Sequence, residues 1–88
     1  MKYLLTCRPA VGVIASDFAP HLDAERAVLS SWRTADVLTA AYSPGGPGAI
    51  LIIEAADSAA AQSLADGLPL RAAGVITVEI TELHPLEF

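Results

Sequence analysis

"AYSPGGPGAILIIEA", residues 41–55, decides the fold. Its middle, "PGGPG" (44–48), cannot continue a strand or a helix: two prolines lack amide donors and three glycines favour turn conformations. On either side lie runs with strand composition, "DVLTAAYS" (36–43) and "AILIIEA" (49–55). Two strands joined by a short Gly/Pro turn make a hairpin. The second of them is apolar at every position from Ala49 to Ile53. A strand with one wetted face should alternate, so this run predicts a sheet covered on both sides.

Working outward, each flank of the hairpin carries a helix and then a strand. Upstream, "KYLLTCRP" (2–9) reads as a strand ending at Pro9. "AVGVIAS" (10–16) connects it to a helix, with Asp17 as its cap, Pro20 in its first turn and an end near Thr34. Downstream, Asp57 and Ser58 offer another helix cap, and "SAAAQSLAD" (58–66) has high helix propensity. Gly67 sits where a left-handed terminal residue belongs, and Pro69 forbids continuation. "GVITVEITEL" (74–83) is the last strand, with Ile76, Val78 and Ile80 on one side. The order β-α-β-β-α-β is the ferredoxin-like unit of the α+β class. It predicts a four-stranded antiparallel sheet with two helices on one face, and a single domain over residues 1–88.

The other face of that sheet has no residues left to cover it. A chain of 88 residues buries only roughly 60–65% of its unfolded surface. Yet 53% of its residues are hydrophobic, and mean hydropathy is +0.50. A second copy is the expected cover, making a homodimer or higher homo-oligomer. The net charge of −5 argues against nucleic acid, whose phosphates need a basic footprint. An RNA-recognition module shares the strand order, but "AILIIEA" has no aromatic or basic residue for base stacking. No stretch approaches a membrane span. "MKYLLTCRP" has too short an apolar run for a signal peptide. Cys7 is the lone cysteine, so no internal disulfide forms and a reducing, cytoplasmic location is expected. No Cys/His cluster points to a metal, and no motif points to a cofactor. "SPGGPG" (43–48) lacks the Lys-Ser/Thr ending of a phosphate loop.

The first helix contains "PHLDAERAVLSSWR" (20–33). With His21 at zero on a regular helix, Glu25 falls at about 40°, Trp32 at about 20°, Val28 at about 340° and Leu29 at about 80°. His21 and Glu25 therefore lie in the apolar stripe, one turn apart. They satisfy neighbouring groups, or they line a cavity as an acid–base pair, the carboxylate orienting the imidazole. Trp32 and Tyr42 are core residues or amphipathic walls of a pocket. Arg8 and Arg33 end their elements, and Arg8 is the candidate fork for a substrate carboxylate. Cys7 reads as buried and inert.

The second half resembles the muconolactone isomerase family of the dimeric α/β barrel group. The resemblance rests on Leu68-Pro69-Leu70, on Val78 to Leu83, and on His84-Pro85. "HL" at 21–22 and "AAGV" at 72–75 also resemble the YCII-related domain. That family pairs its helix histidine with an aspartate preceding a proline, where this chain has Leu68 before Pro69. The resemblance implies a dimeric α/β barrel and an enzyme acting on a small organic substrate, moving a proton on an unsaturated lactone or acid. The site residues come from the chain's own pattern and not from the isomerase family's motifs, which fall in the other half: His21 and Glu25 as the catalytic candidates, and Arg8, Trp32 and Tyr42 as the candidate substrate contacts. The alternative is a non-enzymatic ligand-sensing or assembly domain of the same fold.

Overall fold

A computed structural model describes residues 1–88. Four strands, β1 (Lys2–Pro9), β2 (Leu38–Tyr42), β3 (Ala49–Glu54) and β4 (Ile76–Leu83), form one sheet in the order β2-β3-β1-β4, every pair antiparallel. This is the ferredoxin-like arrangement expected from the sequence. Side chains of paired residues share a face, so the register sorts the sheet. Leu5 lies opposite Leu51 and Ile80, and Cys7 opposite Ala49 and Val78, on the face that buries the core. Leu4, Ile52 and Ala40 line up on the other face, as do Thr6, Ile50 and Tyr42.

The core is sealed between that first face and the helices. α2 (Leu22–Thr34) contributes Trp32, and α3 (Ser58–Asp66) contributes Ala61 and Ala65, packed with Tyr3, Leu5, Leu51 and Ile53. Small alanines let α3 approach the sheet closely. β3 is apolar on both sides for two different reasons. Leu51 and Ile53 are buried under the helices, while Ile50 and Ile52 are half-buried on the open face.

The local helix signals were met in part. Asp57 Oδ1 accepts the Ala60 amide at 2.8 Å, capping α3 as expected. Gly67 is not left-handed: its φ is −81°. α3 instead closes on amide bonds from Gly67 to Ser63 and Leu64, and Leu68 swings into an extended conformation. Pro69 then starts a short helix, α4 (Pro69–Ala72), at the position where its missing donor costs nothing. The residue expected to stop one helix therefore opens another.

The first helix is likewise not continuous. α1 (Ala15–Phe18) gives way to a 3₁₀ turn over Ala19–His21 before α2 begins. Pro20 has no amide to donate back to Ser16, so the α-helical ladder breaks there. Asp17 is not the cap but the third residue in, and its Oδ2 accepts the Ile14 amide at 2.8 Å.

Candidate functional site

Between α1, α2, the β2–β3 turn and the far ends of β1 and β4 lies a cavity of about 570 Å³. Phe18, Leu22 and Leu29 form one wall, and Leu51, Leu70 and Ile76 another. The turn seals the rim at Gly46–Gly48. Gly48 is required there. Its φ is +111°, and a Cβ would overlap the Cys7 carbonyl oxygen.

One carboxylate faces this apolar space. Glu25 is 8% exposed, one turn into α2. Its Oε1 accepts the amide of Leu70 at 3.0 Å. Leu70 is the second residue of α4, and first-turn amides have no partner within their own helix. The bond therefore ties α2 to α4 and fixes the carboxylate. Oε2 makes no hydrogen bond within the chain, and Glu25 is among the residues that line the cavity. Burial raises the Glu25 pKa above the usual carboxylate range, with the Leu70 bond pulling weakly the other way. The Cys7 thiol lines the same cavity, and its pKa is pushed up to about 11 by burial and by the Glu25 charge. A carboxyl group whose pKa is raised by burial in an apolar pocket is suited to give and take a proton.

The raised pKa has a consequence for stability. The folded state holds the Glu25 proton more tightly than the unfolded chain does. Its contribution is therefore full below the ordinary carboxylate pKa and is lost as pH rises through the folded value. Urea titrations from pH 4 upward should show wild type losing ground to Glu25→Gln over that window. A constant difference between the two proteins would contradict the assignment.

The other sequence candidates do not join Glu25 in the cavity. His21 closes the 3₁₀ turn at φ −112° and ψ −7°, is half-buried, and makes no hydrogen bond to Glu25. A 3₁₀ turn advances three residues rather than 3.6, so the helical angle drawn back from α2 does not reach it. Leu22, next in the chain, lines the cavity; His21 does not. Trp32 is 8% exposed and belongs to the core. Arg8 is exposed and pairs with Glu79 at 3.3 Å, and Tyr42 stands on the open sheet face at 62% exposure. The cavity groups that sequence reasoning missed are the Leu70 amide and the rim formed by the turn; Cys7 is buried as expected, and its raised pKa keeps it an unreactive thiol. Alternation had put Cys7 on the same face as Tyr3 and Leu5, which was the available signal. No group of three or more His, Cys, Asp or Glu side chains converges as a metal would need, and no helix is long and apolar enough to cross a membrane.

No family model matches the sequence, and no curated protein does. The fold is shared with the solved structure of 5-chloro-2-hydroxyhydroquinone dehydrochlorinase from Burkholderia phenoliruptrix AC1100, in complex with 2,5-dihydroxybenzoquinone. The TM-score is 0.77, over 96% of this chain and 94% of that one, at 17% sequence identity. At that identity the likeness establishes the fold. That enzyme acts on a small cyclic organic molecule.

Proposed function

We propose that the chain is a homo-oligomeric small-molecule enzyme, of the muconolactone isomerase-like type, that moves a proton on an unsaturated cyclic substrate. The observation behind this reading is Glu25, a buried carboxylate that lines an otherwise apolar cavity and whose Oε2 has no partner within the chain. The ionised carboxylate takes a proton from the carbon beside a lactone carbonyl. The electron pair spreads into a dienolate, and the same carboxyl returns the proton at the far end of the conjugated system. The double bond shifts and nothing is oxidised. The Leu70 amide holds Oε1 so that Oε2 keeps one position through both transfers. His21, beside the cavity-lining Leu22, is the second candidate carrier. The shared fold with a dehydrochlorinase that binds a dihydroxybenzoquinone supports a small cyclic substrate. The half-buried apolar residues of the open sheet face, Leu4, Ile50 and Ile52, support assembly through that face. The lone, buried thiol of Cys7 suits a reducing, cytoplasmic setting.

The test is solvent deuterium incorporation into five-membered unsaturated lactones and hydroxyquinones, followed by proton NMR. Glu25→Gln keeps an acceptor for Leu70 and should lower the exchange rate by about 10²–10⁴-fold. Exchange undiminished in Glu25→Gln but lost in His21→Gln would transfer the role to the histidine. Binding without exchange would favour a ligand-sensing module of the same fold.

A further inference from the structure

We infer that the cavity selects a neutral, largely hydrocarbon ring bearing one O–H or N–H donor, and rejects anions of the same shape. The inference rests on the cavity being the binding site proposed above, and it narrows the substrate from "lactone or acid" to the uncharged class.

Among the lining side chains only Glu25 and Cys7 ionise; none is Lys, Arg or His. The chain has five cationic side chains, and none of them faces the cavity. Lys2 pairs with Glu54, Arg8 with Glu79, Arg26 with Asp23 and Arg71 with Asp66. Arg33 lies exposed in the last turn of α2. A carboxylate entering the cavity would shed its water, meet no cation, and lie beside a like charge. The Leu70 amide is already taken by Glu25 Oε1. Glu25 Oε2 has no partner within the chain, and while ionised it can only accept. A donor on the ligand is what completes it. A cation would bring donors too, but an ammonium ion would shed its own water on entering and find acceptors in the cavity's side chains only at Glu25, leaving donors unpaired.

Four ligands of one shape separate these cases: 4-methylphenol, 4-methylanisole, 4-methylbenzoate and 4-methylbenzylammonium. Each is titrated at pH 7 into the nitrogen-15-labelled full chain, reading the amides of Leu70 and Gly48. The phenol should saturate both signals. The anisole, equal in shape but without a donor, should bind about tenfold more weakly, the worth of one hydrogen bond to a charged acceptor. The benzoate and the ammonium ion should give no saturable shift. In Glu25→Gln, where the repelling charge is gone and an amide donor is present, the benzoate should begin to bind. The inference is overturned if the benzoate or the ammonium ion binds wild type as tightly as the phenol. It is also overturned if no ligand shifts Leu70. The two readings fail separately. A phenol preference with no deuterium exchange on any lactone removes the acid–base reading and leaves this one. A benzoate preference with Glu25-dependent exchange does the reverse.

Discussion

Trp32→Ala lowers the unfolding free energy by about 3–5 kcal/mol, the usual loss for a large aromatic truncated inside a packed core. Trp32 is 8% exposed and joins α2 to the sheet within the same cluster as Leu38 and Ile53. Its carbonyl also accepts the Val37 amide at 2.8 Å, which turns the chain from α2 toward β2. Alanine keeps that backbone bond, so the loss measures side-chain packing. Domains of this size hold about 5–15 kcal/mol in total, so the variant should have a far lower urea midpoint while folding to the same structure. As the single tryptophan, Trp32 reports wild-type unfolding by fluorescence, and the variant must be followed by circular dichroism. A loss below about 1 kcal/mol would mean the indole is not a core element.

The placement of Trp32 shows what a sequence conveys well. Its helical angle relative to Val28 and Leu29 lies wholly within α2, where the 3.6-residue period holds, so the stripe buries the indole. The four strands were legible for a similar reason: Gly and Pro mark their ends, and alternation in "ITVEITEL" names the buried side. His21 belongs to the same apparent stripe and escaped it, because Pro20 removes a donor and Ala19–His21 wind as a 3₁₀ turn. Angle arithmetic is only as good as the continuity of the ladder beneath it. Glu25 was legible as a polar residue on an apolar face, but its partner was not. The Leu70 amide comes from a helix that begins at a proline read as a stop, and backbone donors leave no trace in residue type. Arg8 and Tyr42 were chosen for their chemistry. The register puts both on the open side of the sheet, away from Glu25. Gly48 is a further case: the composition announces a turn, but only the close approach to Cys7 explains why that residue is glycine.

Adjacent residues of β3 should respond in opposite ways to the same substitution. Leu51 is 2% exposed and sits opposite Leu5, which is fully buried. Leu51→Asp puts a carboxylate there with no cation in reach and with Glu25 lining the same cavity. The cost, several kcal/mol for an unpartnered buried charge, matches most of the stability available to the domain. No cooperative unfolding transition should remain. Ile52 points the other way, opposite Leu4 and Ala40, and is half-buried in the single chain. Aspartate at that position keeps water on one side, and the strand's backbone bonds stay intact. Ile52→Asp should therefore keep the wild-type circular dichroism and a cooperative transition. Its effect should fall on assembly: in the proposed dimer the charge enters the interface without a partner, so light scattering should give the 9.1 kDa mass of one chain where wild type gives a multiple of it. A wild-type monomer, or an Ile52→Asp protein that stays oligomeric, would remove the open sheet face as the interface. In that case the apolar run that pointed to a covered sheet would need another occupant, while the Leu51→Asp result, which depends only on the core within one chain, would stand.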